Sequence, residues 1–324
     1  MNRKSRFAAI VAALVTANGF AETAEPYPAK VIRMVVPYSP GGTGDNIGRA
    51  VAAKLAEILR QQIIVDNRPG AGGNIGAEAT VRAAPDGYTV VMAATSLASN
   101  PALQRKMPFD PLKDLVPVSG CCEVPMIVVV HPSLPVKSIK ELIAYAKDSP
   151  GKLTYSSSGI GTSSHLAAEL FKVLTGVDML HAPYKADALA LPDLLSGQIN
   201  LMFMFQTSAL PQMKSGKLRA LAVSTARRSP LAADLPTVAE AGVPGYEFSG
   251  WFGLFAPAAT RTEIVDKLAA AAVKAVQSPD LKERLSQQGF VPIGSGPEQF
   301  AAFFRGEVEK WARVVKQGGL PLLD

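Results

Sequence analysis

Short β-branched apolar runs alternate along this chain with longer segments whose apolar residues recur every three or four positions. Val31-Ile32-Arg33-Met34-Val35-Val36 is the first such run and reads as a buried strand. Ile47, Val51, Leu55 and Ile58 then share one helical stripe, which predicts a helix starting near Asp45. Ile63-Ile64-Val65 predicts a second strand, a helix follows through Ala83, and residues 88–94 predict a third strand. Strand, helix, strand, helix, strand implies a parallel sheet with helices on its faces. Ligands of such sheets sit beyond the carboxyl ends of the strands. All three strand ends here carry Gly, Ser, Thr or Asn.

A second alternating set follows. Strands are expected over residues 126–130, 153–156, 199–203 and 216–224, and helices over 137–147 and 188–196, with M-L-H-A-P-Y at 179–184 leading into the second of these helices. Another helix carries Leu166, Leu170, Val173 and Leu174 as its apolar face, and a short one is expected over 234–241. Residues 110–125 are proline-rich and are expected to be irregular, crossing from one domain to the next. Residues 248–256 read as a long buried strand that crosses back. Two alanine-rich helices and a final helix over 297–318 close the chain. With 324 residues, and about 150 per domain, two α/β domains are expected.

The chemistry concentrates at two glycine-rich strand ends. Residues 37–49 read P-Y-S-P-G-G-T-G-D-N-I-G-R. A strand, a glycine turn and a helix start present backbone N–H groups and the positive end of a helix dipole, which suits an anion. The nucleotide-phosphate loop is excluded, because Gly44 is followed by Asp45 and Asn46 instead of Lys and Ser or Thr. The dinucleotide fingerprint fails on glycine spacing. Asp45 stands where a helix cap belongs, and it would repel a multiply charged phosphate. A carboxylate or mixed-charge small molecule fits better. Residues 157–165, S-S-G-I-G-T-S-S-H, repeat this architecture without a charged residue before the histidine. Two such loops in two domains would face each other across a cleft.

Composition narrows the classes. The chain is 48% hydrophobic and 19% charged, an ordinary globular balance. Arg3, Lys4 and Arg6 precede an apolar run from Phe7 to Val15, with small residues at Gly19 and Ala21. This predicts a secretory leader (residues 1–21) cleaved near Ala21, and hence an exported, periplasmic protein. Removing those three basic residues lowers the formal charge of +6 to +3, which gives no reason to expect a nucleic-acid partner. Cys121 and Cys122 are adjacent and are expected to pack in or beside a strand. The histidines, His131, His165 and His181, lack metal-ligand spacing. Ser163-Ser164-His165 on one helix cannot form a triad, and there is no G-x-S-x-G elbow. Neither an enzyme nor a cofactor is expected.

Seven stretches, in order along the chain, resemble the Bug-type, or tripartite tricarboxylate transporter, substrate-binding proteins. They are Y-P-A-K-V-I-R-M-V-V-P-Y-S-P-G-G-T-G-D, N-R-P-G-A-G-G-N-I-G, P-D-G-Y-T-V, S-S-S-G-I-G-T-S-S-H, A-P-Y-K, S-G-K-L-R-A-L-A-V-S-T and W-F-G-L-F-A-P. The resemblance implies a bilobed periplasmic-binding-protein fold of type II, two α/β domains joined by two crossing segments. Residues 22–125 and 246–324 would form domain 1 and residues 126–245 domain 2. It further implies a monomeric receptor that closes on a small carboxylate and delivers it to membrane permease subunits. Carried over by motif, the ligand residues are Tyr38, Ser39, Gly41, Gly42 and Thr43 from one lobe and Ser158, Gly159, Thr162 and Ser163 from the other. Thr95, Ser96, Pro183 and Tyr184 would line the cleft, with Asp45 and His165 in the first turns of its two helices.

The chain departs from the family pattern after A-P-Y-K. Ala186-Asp187 stands where glycine and a small residue are usual, so Asp187 either enters the pocket or is solvated. Met204, where Asp is frequent, and Phe205 either make the pocket more apolar or pack in the core. Trp251 and Tyr184 are placed either to stack on a ligand ring or to serve as hinge or core residues. Arg68 is placed to reach a distal carboxylate, and Arg49 to pair with Asp45. A sensing subunit that passes the closed state to a kinase or chemoreceptor would use the same pocket.

Overall fold

The computed structural model describes residues 27–320 and residue 322, so the leader and its cleavage point lie outside the described residues. The chain opens with β1 (Ile32–Val36), α1 (Thr43–Leu59), β2 (Ile63–Asn67), α2 (Asn74–Val81), β3 (Thr89–Ala94), α3 (Ser96–Leu103), α4 (Pro111–Asp114) and β4 (Leu115–Val124). It continues through β5 (Met126–Val130), α5 (Ile139–Asp148), β6 (Thr154–Ser157), α6 (Ser163–Thr175), β7 (Leu180–Pro183), α7 (Asp187–Ser196), β8 (Leu201–Phe205), α8 (Gln206–Lys214) and β9 (Arg219–Val223). It closes with β10 (Gly250–Pro257), α9 (Thr262–Gln277), α10 (Pro279–Gln287), β11 (Val291–Ser295) and α11 (Pro297–Gly318).

Two sheets result. One has the order β11-β4-β10-β3-β1-β2 and the other β7-β6-β8-β5-β9. The parallel reading holds for β2-β1-β3, as it does for β7-β6-β8. Both sheets are mixed, because β10 runs antiparallel between β3 and β4, and β5 runs antiparallel between β8 and β9. The chain passes from the first sheet to the second at Pro125 and returns before Gly250.

Two sequence expectations are corrected. Residues 110–125 are not irregular: after α4 they form the ten-residue β4, which pairs with both β10 and β11. Pro117, Ser119 and Gly120 hide the strand in the sequence, and the register shifts opposite Gly253 and Phe255 absorb them. Cys121 and Cys122 are buried thiols in this strand. Residues 234–241 form turns that follow a short 3-10 segment at Pro230–Ala232, not a helix. Helix α3 was not legible because polar residues and Pro101 interrupt its stripe.

Packing explains the glycines after β1. A Cβ on Gly48 would lie 2.7 Å from Val36 Cγ2, and one on Gly44 would overlap the Tyr38 ring, so these two glycines let α1 lie directly on its own strand. The core spans both sheets. Val35, Val91 and Phe255 of the first sheet share one cluster with Met126, Val128 and Phe203 of the second, through Trp251, Phe300, Phe304 and Trp311. Helix α11 supplies most of that bridge. The indole N–H groups of Trp251 and Trp311 both donate to Glu307 Oε2, at 3.1 and 3.2 Å, and Lys310 pairs with Oε1 at 3.1 Å. The buried carboxylate is thereby satisfied. Trp251 is a core residue.

Beneath α6 lies a polar stack that fixes the loop preceding it. The Tyr155 and His181 rings stack at 4.7 Å, and His165 tilts onto His181 at 4.5 Å. Tyr155 donates to Glu169 Oε1 at 2.5 Å, and Lys172 pairs with that carboxylate at 2.8 Å. His165 Nδ1 accepts the Gly161 N–H at 3.3 Å, and His181 Nε2 pairs with Ser157 Oγ at 2.6 Å. Burial keeps both imidazoles neutral, lowering His165 to about 3 and His181 to about 4. His181 also feels Glu169, which opposes the shift.

Two predictions follow from this packing. Both histidine pKa values are depressed in the fold, so the unfolded chain takes up these protons first as pH falls. The associated stability is complete above the ordinary histidine pKa and is lost as pH falls toward about 4 and about 3. Thermal denaturation should show Tm falling across that window, with a shallower fall in His165→Asn, whose Oδ1 still accepts from Gly161; equal slopes would remove the histidine from the account. In the bridge, a Cβ on Gly253 would overlap the Phe300 ring, whereas one on the exposed helical Gly306 meets nothing. Denaturant unfolding should show Gly253→Ala losing about 1–3 kcal/mol and Gly306→Ala gaining about 0.5–1 kcal/mol.

Candidate functional site

The first loop runs from the end of β1 into α1. Gly41 adopts φ +77, a left-handed turn open to glycine, and the Gly42 N–H closes onto Ser39 O at 3.3 Å. The Gly41 N–H goes to Asp45 Oδ2 at 2.8 Å. Asp45 does not cap the helix. Gly42 does, with no side chain, and Asp45 lies inside the first turn, 3% exposed. Burial alone would raise the Asp45 pKa, but Arg49 (Nε at 3.0 Å), the Gly41 N–H and Asn67 outweigh it and hold the carboxyl below its ordinary range. Asn67 Nδ2 ties this carboxylate to the Tyr38 carbonyl, donating at 2.9 and 3.1 Å. The first-turn amides of Thr43, Gly44 and Asp45 have no intrahelical acceptor.

The second loop repeats the arrangement at the end of β6. Gly159 and Gly161 adopt φ +118 and +80. Thr162 donates its hydroxyl to Gly159 O at 2.6 Å, and the Gly159 N–H goes to Ser157 Oγ at 3.1 Å. Thr162 is the N-cap residue of α6 and makes no side-chain cap, which leaves the amides of Ser163, Ser164 and His165 for another acceptor. Ser164 Oγ is the hub: it accepts the Ser158 N–H at 3.0 Å, lies 3.1 Å from Ser158 Oγ and donates to Asp187 Oδ1 at 3.1 Å. Asp187 is half-buried at the start of α7. Its burial pushes the carboxyl up to about 6, against the lowering effect of the Ser158 and Ser164 hydroxyls.

Contacts connect the two loops. Tyr38 lies against Phe252 at 6.0 Å between ring centres, with its phenol beside Ser96 and the Ala94 backbone. Burial pushes that phenol up to about 12, so it stays a neutral donor. Thr95 Oγ1 accepts the Trp251 N–H at 3.1 Å, and the neighbouring Gly250 faces Ser163 Oγ and the Phe205 ring from the second lobe. Ser99 Oγ donates to Gly161 O at 3.4 Å, and a side chain on Gly161 would meet Asn100. Asn100 in turn donates to Asn74 and to the Gly72 carbonyl.

Most residues expected from the sequence therefore converge, with revised roles. The N–H groups of Gly41, Gly42, Ser158 and Gly159 are engaged within their own loops, so the free donors begin one to four residues later. Ser39 is exposed, Thr43 and Ser163 are half-buried at the helix starts, and Thr95 and Ser96 are buried between the loops. Pro183 is exposed at the end of β7; the Tyr184 backbone lies against the second loop, its N–H donating to Ser157 O at 2.9 Å, while its hydroxyl donates to Asp193 at 2.5 Å. His165 is buried beneath its loop. Arg49 pairs with Asp45 as its spacing indicates, Arg68 is held at 2.8 Å by Asp66, and Met204 is core. Ser164, Asn67 and Asn100 were missed; the serine at the second helical position was the available signal. Among the described residues, no group of three or more His, Cys, Asp or Glu is placed to hold a metal ion. No described helix is long and apolar enough to cross a membrane.

Comparison with known proteins places this geometry in a family. Residues 47–320 match the model of the tripartite tricarboxylate transporter family receptor. BugT of Bordetella pertussis is 37% identical over 322 residues, covering 98% of this chain and 99% of that protein. The structure of Rpa4515 from R. palustris with adipate superimposes with a TM-score of 0.84 at 38% identity, over 92% of this chain and 100% of that one. MatC from Rhodopseudomonas palustris, with bound malate, gives a TM-score of 0.80 at 32% identity, over 89% and 100%. The chain has their bilobed periplasmic-binding-protein fold, and it belongs to the tripartite tricarboxylate transporter receptor family.

Proposed function

We propose that this protein is a periplasmic receptor that takes a small organic carboxylate between the starts of α1 and α6, closes on it, and delivers it to membrane permease subunits. The observation that carries this reading is the pair of helix N-termini, one from each sheet. Both lack a side-chain cap; Tyr38 before α1 lies beside Ser96, and Ser163 at the start of α6 faces Gly250, whose neighbour Trp251 is bonded to Thr95. First-turn amides and the helix dipole suit a carboxylate. A hydrogen bond to a charged group contributes roughly 1.5–3 kcal/mol and a helix N-terminus about 0.3–2 kcal/mol. Two or three such bonds, less the ordering cost, support micromolar binding, near −8 kcal/mol. No arginine is required.

In this reading the ligand meets Thr43, Thr95, Ser96 and Ser163 directly. Tyr38, Ser39, Gly41, Gly42, Ser158, Gly159 and Thr162 shape the two loops, and Pro183 borders the opening. The lobes are residues 22–125 with 246–324, and residues 126–245, hinged where the chain crosses between the sheets. The mature protein, cleaved near Ala21, would act as a monomer in the periplasm without a cofactor. A hydrolytic role finds no support in the Ser157–His181 pair, because Ser157 is fully buried and also engages Gly159.

A thermal-shift screen against organic acids tests the reading. At about a hundredfold excess over Kd, a true ligand should add about 2.7 kcal/mol, several degrees of Tm. Gly42→Asp is the informative variant. Gly42 sits at φ −79, where any side chain fits, and its added Cβ would lie 3.4 Å from Ser39 O. The new Asp would cap α1 and leave Tm unchanged or higher, while its charge should abolish the ligand-induced shift. Gly159 adopts φ +118, so a substitution there would confound strain with lost binding. An undiminished shift in Gly42→Asp would move the carboxylate site away from α1.

A further inference from the structure

Each loop has a carboxylate of the protein's own against it, Asp45 in the first turn of α1 and Asp187 at the start of α7, and the two differ in what balances them. Asp45 is matched by Arg49, so the start of α1 presents no uncompensated negative charge. Among the described residues, the hydrogen bond to the Asp187 carboxylate comes from a hydroxyl. Ser164 Oγ donates to it at 3.1 Å, and Ser158 Oγ stands 3.1 Å behind Ser164 Oγ in the same hydroxyl cluster. Ser164 has a single proton and gives it to Asp187, while its lone pair receives the Ser158 N–H. The hydroxyls that would otherwise hold a ligand carboxylate at the second loop are already turned toward an anion. A second carboxylate beside Asp187 would face like charge in a partly desolvated site, where two such groups resist joint ionisation. Yet a carboxylate offers about four acceptor positions, and Ser164 takes one of them.

We infer that Asp187 sets ligand polarity: the ligand's carboxylate docks at α1, and its other end carries a hydrogen-bond donor, an ammonium or a hydroxyl, that Asp187 accepts. The favoured class is a small amino- or hydroxy-monocarboxylate, with dicarboxylates disfavoured. This inference rests on the carboxylate-receptor reading and adds the identity of the second contact.

The test is calorimetric titration of ligand-free mature protein with succinate, glutarate and adipate. Amino- and hydroxy-monocarboxylates of matching length form the second series. Wild type should bind the best donor-bearing monocarboxylate at least about tenfold more tightly than its dicarboxylate partner. Asp187→Asn keeps the shape and removes the charge, so it should lose that preference and gain dicarboxylate affinity; Asp187→Gly should do the same. A wild-type preference for dicarboxylates, or a ratio unmoved in both variants, would overturn the role of Asp187 and leave the receptor reading standing. Absence of binding by every compound to folded wild type and variants would overturn the carboxylate reading, and this inference with it.

Discussion

A helix that begins without a side-chain cap leaves its first backbone N–H groups with no acceptor, and this protein does so twice, at α1 and α6. Much of the surrounding structure reads as support for those two starts. Gly44 and Gly48 let α1 lie on β1 so that its amides open beside Tyr38. The aromatic and histidine stack under α6 holds the second loop from below, with Gly161 tied to His165 and Ser157 to His181. Strands β3 and β10 bring Thr95 and Gly250 between the loops, and the core around α11 bridges the two sheets that carry them.

The loops reach this state by engaging their own glycine amides. Gly41 binds Asp45, Gly42 binds Ser39 and Gly159 binds Ser157, so the turns are preorganised and the open donors lie in the helices. Preorganisation of this kind lowers the ordering cost of binding. The internal carboxylates then differentiate the two ends of the cleft. Asp45 is neutralised by Arg49 and stays ionised below its ordinary pKa. Among the described residues no cation pairs with Asp187, and burial raises it to about 6. In the proposed cleft, one end would suit an anion and the other already carries a carboxylate.

The sequence disclosed the strands and helices with clean periodicity, because a fully buried strand and an amphipathic helix each leave a direct trace. β4 was lost because Pro117, Ser119 and Gly120 break that trace while its irregular pairing with β10 tolerates them. The antiparallel insertion of β10 was also invisible, since the apolar run at residues 250–257 carries no record of its neighbours. At the site, the loops and their motif residues were legible, but the direction of each hydrogen bond was not. Asp45 looked like a cap and instead sits inside the first turn; Ser164 looked like its neighbour Ser163 and instead organises the loop. Whether Asp187 was solvated or in the pocket depended on the second loop's hydroxyls, which only the fold brings to it.

The central claim is that one ligand engages both helix starts, and backbone amide NMR measures that directly. Titrating a carboxylate that binds should move the 15N–1H signals of Thr43 and Gly44 together with those of Ser163 and Ser164, all saturating at one concentration. Movement at only one helix start, or saturation of the two at different concentrations, would contradict the account.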